Sequence, residues 1–600
     1  MSPRRSLRLC YRLACTISLI AFLLAIAVPL AAADGAPAIF PLDQVKPGMT
    51  GTGYTIFAGD DIESFTFDVI GVMPNLIGPQ ESIILVQLKG AKVEHTGVVA
   101  GMSGSPVYID GKLLGAVSLK LGLFSKEPIA GVTPIEEMLS LPSTPPDASV
   151  ADVFSAPRYP LPDAFSAETG TSGPAYLEPI ASPLTFSGFS AEAIRHYAGE
   201  FSGYGLAAAQ GGTATPSSDD AKIVPGDMVG MVLVQGDLSI NAACTVTAVI
   251  GDRVLSCGHP LFGFGPLQLP MARARVLTTL ASDYESTKIV NMGGIIGSIT
   301  DDRTTAVTGV LGKAPPMIPV DLTLATSAGE KKFHFEMVSN AKLAPLIVGL
   351  VTLNGLTQDP IYGEGSTLSL HGTIDIAGHS SVQMDQLFAP TDTMIPDATF
   401  VAVAVQADFA RIFANQFESP HVQHIELRLE SLPERRVATI DGAWSDKVEA
   451  QPGETVTIKV MLRPYRGDPI IRNVSITIPA QAAHGSTMQV LVSDAGTLDR
   501  RTAPFGPAAI NRLTGLEQLI ALLNRERRND HLYVALLDAN PTLLVQDKVL
   551  PNAPLSEIDV LDGRPGQGGG VLLHDSSAGE WSVPMDEVIT GFATVSIRIP

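Results

Sequence analysis

At 600 residues, with a formal net charge of -21, 45% apolar and 17% charged residues, the chain is too long for one core and lacks the basic footprint that a nucleic-acid partner requires. Its 56 glycines and 45 prolines point to a turn-rich, mainly β globular protein with few long helices and argue against disorder. At about 150 residues per domain, roughly three or four structural units are expected.

At the N-terminus, Arg4, Arg5, Arg8 and Arg12 precede an apolar run from Ile17 to Val28, and Ala31, Ala32 and Ala33 follow it. Positive charge, apolar run and small residues in that order are the pattern of a secretory signal peptide over residues 1–33, with an uncleaved anchor as the alternative. The chain is therefore expected to be exported to the periplasm, the cell envelope or the exterior. Cys10 and Cys15 lie before the apolar run, where a lipid-modified cysteine does not sit. Downstream, Cys244 and Cys257 flank a predicted hairpin and face each other diagonally, which leaves their pairing open. No CxxC pair or cluster of histidines suggests a metal, and no cofactor is called for.

Residues 34–142 read as an all-β unit, with β-branched and aromatic runs such as Ser64–Val72 and Ser82–Leu88 broken by Gly-Asp, Gly-Pro and Asp-Gly turns. Residues 143–221 form a linker and mixed segment, with proline, serine and aspartate over 140–162, a short helix after Ser190 and a polar stretch from Gly211 to Asp220. Residues 222–435 return to β, with strands at Met231–Leu233, Thr245–Ile250 and Val254–Cys257, turns at Gly236-Asp237 and Gly251-Asp252, and a helix between Pro396 and Phe417. Residues 436–600 alternate as a β-sandwich does, notably after Glu454, and Thr514 with Glu517 makes a capping-box pattern for a helix reaching about Asn524.

One hexapeptide has the make-up of a nucleophile loop: Gly101-Met102-Ser103-Gly104-Ser105-Pro106. Gly101 permits the dihedrals that turn its own amide and that of Ser103 toward an oxyanion, Gly104 keeps the wall beside the serine open, and Pro106 directs the exit into a strand. That strand turns at Asp110-Gly111, which sets the loop on the rim of a barrel, with Ser103 better placed than Ser105. By composition alone the hexapeptide reads first as a plain turn, because small residues and proline make turns everywhere.

The surroundings resemble the SpoIVB peptidase family, chymotrypsin-related serine endopeptidases of bacterial envelopes. The shared pattern is Thr96-Gly97 before the hexapeptide, then Asp110-Gly111-Lys112 and Gly115-Ala116-Val117 after it. A second block, Thr245-Val246-Thr247 leading through Gly251-Asp252 to Cys257-Gly258-His259, is similar to the hairpin that carries the family's general base. The resemblance implies Ser103 as nucleophile, His259 as base in preference to His95 on the approach strand, and the amides of Gly101 and Ser103 as oxyanion hole. It implies a double β-barrel, chymotrypsin-like core, here with serine and histidine halves in permuted order; the C-terminal sandwich-like accessory domain with its short helix lies outside the resemblance and follows that core. Where the family keeps its acid this chain reads Leu88-Lys89-Gly90, so the third member is unassigned, with Asp252 and Glu94 as candidates. The expected partner is a protein or peptide substrate, with an envelope protein engaged through the C-terminal domain. The alternative is a non-catalytic envelope binding or scaffold protein that retains the peptidase-like shell.

Overall fold

The computed structural model describes residues 37–122, 127–140, 157–161, 176–211, 222–326, 329–358, 365–390, 396–502, 513–538, 542–545, 548–550, 556, 571–573 and 576–600. The expected leader, most of the 140–162 linker and most of the polar stretch at 211–220 lie outside these residues. The chain divides into two compact units: Met1–Thr185 with Glu200–Met231 and Asn241–Pro315, and Phe186–Gly199 with Val232–Ile240 and Pro316–Pro600. The division at Pro315 falls inside the stretch 222–435 that the sequence treats as one piece.

The first unit opens with six strands: β1 (Thr50–Ile56), β2 (Ile62–Gly78), β3 (Glu81–Lys89), β4 (Pro106–Ile109), β5 (Lys112–Leu121) and β6 (Ile129–Pro134). They run in the order β4-β1-β2-β3-β6-β5, and pairing of β4 with β5 closes an antiparallel barrel. β3 shows why: Ile84, Val86 and Leu88 point into a core with Phe65, Phe67, Val117 and Val132. Its alternate residues Ile83 and Leu85 pack outward with Leu119 and Leu177. The β4–β5 turn, Asp110-Gly111, takes φ of +51° and +75°, both left-handed as a two-residue hairpin of this twist demands.

β7 (Tyr159–Pro160) and β8 (Tyr176–Pro179) extend this sheet from β5, and β9 (Ser182–Ser187) and β10 (Leu206–Gln210) follow. A second set comprises β11 (Met228–Gly236), β12 (Ser239–Ile250), β13 (Arg253–Ser256), β14 (Gly265–Leu280), β15 (Thr287–Arg303) and β16 (Ala306–Leu311). Their order β12-β13-β16-β15-β14-β11 is closed by β11–β12 pairing, so a second six-stranded barrel follows the first. Leu113, Ala116, Ile135 and Met138 from the first barrel share one apolar cluster with Ala248, Leu255 and Ala306 from the second, so the two barrels pack against each other. The fold is thus the expected double barrel.

Two local expectations change. His95 lies on a short helix, Ala91–Thr96, and is exposed; Gly90 at φ +129° ends β3 and Gly97 at φ +68° ends the helix, so no approach strand forms. In the second unit a helix, Leu343–Thr357, interrupts the β pattern expected ahead of the helix between Pro396 and Phe417. It is buried on every side from Leu343 to Leu356, so no amphipathic period marks it in the sequence. Among the described residues no helix is long and apolar enough to cross a membrane.

The rest of the second unit holds a sheet ordered Gly329–Met337, Ile318–Thr326, Val422–Leu432, Thr367–Ile376, Val382–Phe388, with one parallel pair between Ile318–Thr326 and Val422–Leu432. The expected helix spans Asp397–Phe413 and buries Phe409 and Phe413, while Phe400 stays exposed. Beyond Arg436 two four-stranded sheets enclose Ile440, Val456, Ile458, Val490, Val534 and Ile597, the core of a β-sandwich. The helix here, Leu516–Leu523, is not closed by a Thr514–Glu517 capping box. Gln518 Oε1 takes the Thr514 amide at 2.9 Å, and Glu517 instead accepts from Ser380 Oγ at 2.7 Å.

Candidate functional site

The two sequence blocks, more than 140 residues apart, meet in the first unit. The serine loop rests on the edge of β5: Gly104 N–H donates to Val117 O at 2.8 Å, and Val117 N–H donates to Ser105 O at 2.9 Å. Gly101 and Gly104 sit at φ +93° and +92°. Gly104 does more than keep a wall open. A Cβ there would stand 1.9 Å from Thr245 O and 2.6 Å from Cys257 N, so the histidine hairpin presses on its backbone.

The Thr-x-Thr strand holds the loop. Thr245 N–H donates to Ser103 O at 2.9 Å. Thr245 Oγ1 donates to Gly101 O at 2.9 Å and Thr247 Oγ1 to Gly104 O at 2.7 Å. All three partners are carbonyls of the serine loop that no ladder would otherwise satisfy. From the other side, Thr133 Oγ1 of β6 donates to Gly258 O at 2.7 Å.

A β-bulge between Val246 and Ala248 shifts the β12–β13 register by one residue, and Cys257 N–H then donates to Thr245 O at 3.3 Å. Cys257 is brought diagonally opposite Cys244, and the two form a disulfide with Cα atoms 5.1 Å apart. Cys257 and Gly258 are both left-handed, at φ +68° and +72°, and this tight turn delivers His259.

His259 is buried, and its Nδ1 lies 2.7 Å from Pro260 O. A carbonyl only accepts, so Nδ1 bears the proton and Nε2 keeps its lone pair, the tautomer a general base needs. Nε2 makes no hydrogen bond among the described residues. Burial pushes the imidazole down to about 4, although the backbones of Pro260 and Ile180 favour its charged form. At neutral pH the ring is uncharged.

Neither acid candidate reaches this ring. Asp252 occupies the exposed β12–β13 turn, and the four-residue extended strand β13, roughly 13 Å long at about 3.3 Å per residue, separates it from the turn that bears His259. Glu94 is exposed, and its Oε1 accepts from Gly90 N–H at 3.1 Å, closing the start of its own helix. The orienting acceptor on Nδ1 is the Pro260 carbonyl instead.

Ser103 is fully buried, not open on a rim. The segment Ile180–Pro183, which links β8 to β9 and includes the first two residues of β9, covers it. Ser103 Oγ lies 3.4 Å from Ser182 Oγ and makes no hydrogen bond to His259. Gly101 N–H donates to Ala181 O at 3.0 Å, while the Ser103 amide donates to no group among the described residues. Ser105 is also buried, with a hydroxyl that has no hydrogen-bond partner among the described residues.

Two ionisable residues that the sequence did not single out support the loops. Asp302, fully buried at the end of β15, accepts from the amides of Leu261, Phe262 and Gly263 at 2.8, 2.7 and 2.9 Å, fixing the turn just after His259. Burial pushes its carboxyl up to about 6 against the pull of these amides. Period-two alternation offered a hint, since of Asp301 and Asp302 in a strand one must face inward.

Lys288 backs the serine loop through its amide, which donates to Ala100 O at 3.1 Å, and its fully buried Nζ donates to Thr55 Oγ1 at 2.8 Å. Burial pushes this amine down to about 7 from 10.5. Between those values the unfolded chain binds a proton that the folded one does not, so stability rises with pH from about 7 to 10.5. Lys288→Met is therefore expected to stabilise the first unit at pH 6 by about 2 kcal/mol, after allowing for the unpaired Thr55 hydroxyl. The gain should shrink toward pH 10 in urea melts; a gain that does not depend on pH would contradict it.

Among the described residues no group of three or more histidine, cysteine or acidic side chains is arranged to hold a metal. A cavity of about 800 Å³ lies along β1, β2 and β4, lined by Thr52, Tyr54, Asp68 and Tyr108 among others, and includes neither Ser103 nor His259.

Compared with known proteins, residues 35–139 match the family model described as SpoIVB peptidase S55. This partial match supports the SpoIVB peptidase family, and with it a SpoIVB-like serine peptidase. The matched stretch holds the first barrel and Ser103 and ends before His259. Neither the curated proteins nor the solved structures return a match.

Proposed function

We propose that the protein is an exported serine endopeptidase that cleaves protein substrates of the cell envelope, with Ser103 as nucleophile and His259 as base. The observation that carries this is the hydrogen bonding of Thr245 and Thr247 to the carbonyls of Gly101, Ser103 and Gly104, which draws the two motif blocks into one site. Ser103 Oγ attacks the scissile carbonyl and its proton passes to His259 Nε2, which later returns it to the leaving amine. The amides of Gly101 and Ser103 receive the oxyanion, each worth about 3 kcal/mol in the transition state. Pro260's carbonyl takes over the orienting role of an acid but cannot stabilise the imidazolium as a carboxylate does. A rate well below that of a full triad, by up to about 10⁴, follows. The Cys244–Cys257 disulfide and the N-terminal pattern both support an oxidising compartment outside the cytoplasm.

A fluorophosphonate probe tests the reading. Labelling should map to Ser103, vanish in Ser103→Ala and fall at least about 100-fold in His259→Ala. A second reading, the non-catalytic scaffold, is favoured by the burial of Ser103 and by the missing Ser103–His259 hydrogen bond. Folded protein that is never labelled, even with the covering segment Ile180–Pro183 loosened, would establish the scaffold and overturn the peptidase.

A further inference from the structure

The segment over Ser103 meets each part of the proposed machinery in sequence. Ile180's backbone faces the His259 imidazole, Ala181 O takes the Gly101 amide at 3.0 Å, and Ser182 Oγ lies 3.4 Å from Ser103 Oγ. Its approach is that of an added strand. Past the point where β4 ends, the edge of β5 is occupied first by the serine loop through Val117, then by Ile180, whose amide donates to Ser118 O at 2.9 Å, and then by β8, with Leu119 opposite Pro179 and Lys120 opposite Glu178. Extended backbone on a strand edge beside a nucleophile, with a carbonyl on an oxyanion donor, is how a peptide substrate would lie.

From this we infer that Ile180–Pro183 is a built-in pseudosubstrate strap. It fills the place of an extended peptide whose small residue, here Ala181, presents its carbonyl to Gly101. The site therefore takes substrate as a strand added to β5, and only after the strap has left. The inference rests on Ser103 and His259 being the reacting pair.

The physical case is one of competition for the same groups. While Ala181 O holds the Gly101 amide, that donor cannot serve a developing oxyanion, and a Ser103 hydroxyl sealed under Ser182 cannot meet a carbonyl. The strap is anchored on its upstream side by charge. Lys120 Nζ lies 2.6 Å from Glu285 and 3.8 Å from Glu178, and Arg158 lies 3.5 Å from the same Glu178; the Lys120 and Glu178 side chains are about 15% exposed, so solvent screens this anchor only partly. Displacing Glu178 should loosen the strap without touching the reacting groups.

The test uses the full chain in two forms. Glu178→Lys turns the anchor repulsive. Lys120→Cys with Glu178→Cys locks it, because directly opposed antiparallel residues have Cα atoms about 4.5–5.5 Å apart, within disulfide range. Fluorophosphonate labelling of Ser103 is expected to be at least 10-fold faster in Glu178→Lys than in wild type. In the oxidised lock it should be at least 10-fold slower, and on reduction, with both anchor charges gone, it should reach or exceed the rate of wild type treated with the same reductant. Equal rates in wild type, opened and locked proteins that melt alike would overturn the strap.

A second readout does not need catalysis. In a Ser103→Cys background, alkylation by iodoacetamide should rise at least 10-fold when Glu178→Lys is added. If fluorophosphonate labels no form but alkylation rises, Ile180–Pro183 is a movable cover over Ser103, and the peptidase reading fails together with the pseudosubstrate role. Unchanged alkylation overturns the strap whatever the probe shows.

Discussion

Gly104→Ala is expected to cost the first unit about 4 kcal/mol or more and to abolish fluorophosphonate labelling. Two terms add. A left-handed φ of +92° costs an L-residue roughly 1–2 kcal/mol. The new methyl would also stand 1.9 Å from Thr245 O and 2.6 Å from Cys257 N, both backbone atoms. Neither can yield cheaply, because Thr245 is hydrogen-bonded to the serine loop and Cys257 is tied by its disulfide. Gly111→Ala is the control. Its φ of +75° carries the same conformational cost, but nothing lies within 4 Å of the added methyl, so a loss near 1 kcal/mol is expected. Urea melts that give similar losses for the two variants would show that the close contact between the blocks does not hold the site together.

Asp302→Ala is expected to cost about 3–5 kcal/mol, because three amides lose their acceptor at roughly 1–3 kcal/mol each and only part of that is recovered by removing a buried carboxylate. The turn after His259 should loosen with it, and labelling should fall although Asp302 does not hydrogen-bond the ring.

Its pH signature sets this apart from ordinary destabilisation. His259 stays neutral in the fold down to about 4, whereas the unfolded chain takes a proton near 6.5, so its contribution to stability rises with pH across that range. Asp302 stays protonated up to about 6 against 3.8 when unfolded, so its contribution is present at low pH and is lost as pH rises through 6. The two slopes oppose each other between about 4 and 6, in a unit where Glu137, raised to about 7 by burial, adds a slope of the same sign as that of Asp302. Asp302→Asn, which keeps the shape and one acceptor oxygen, should uncover the histidine slope, losing stability as pH falls below 6.5 and adding up to about 3 kcal/mol of loss by pH 4. An Asp302→Asn stability profile that runs parallel to wild type between pH 4 and 6.5 would contradict the assignment.

Barrel strands such as β3, β5 and β13 were legible because each is a short apolar or alternating run beside a turn signal, whereas the long β14 and β15, of 16 and 17 residues, were not singled out. The Leu343–Thr357 helix was not, since a helix buried on all sides has no period to read. The role of Gly104 was misjudged for a related reason: the sequence offers its freedom at positive φ, but the carbonyl pressing on it comes from Thr245, 141 positions away. His95 stood nearest to Ser103 in sequence, yet two flanking glycines turn it out to solvent on a helix.

By itself the sequence determined that the chain is mainly β, that it carries a glycine-bounded serine turn, and that a Thr-x-Thr hairpin ends at Gly258-His259. These are local facts, written in side-chain period, turn residues and short spacing. The tertiary structure alone decided that the two blocks meet, that Cys244 and Cys257 pair once a bulge shifts their register, that Pro260's carbonyl stands where an acid was sought, and that Asp302 braces the turn after His259. It also decided that Ser103 lies covered by Ile180–Pro183. Each depends on which backbone groups from distant segments satisfy one another's hydrogen bonds in a closed interior, and no local pattern encodes that choice.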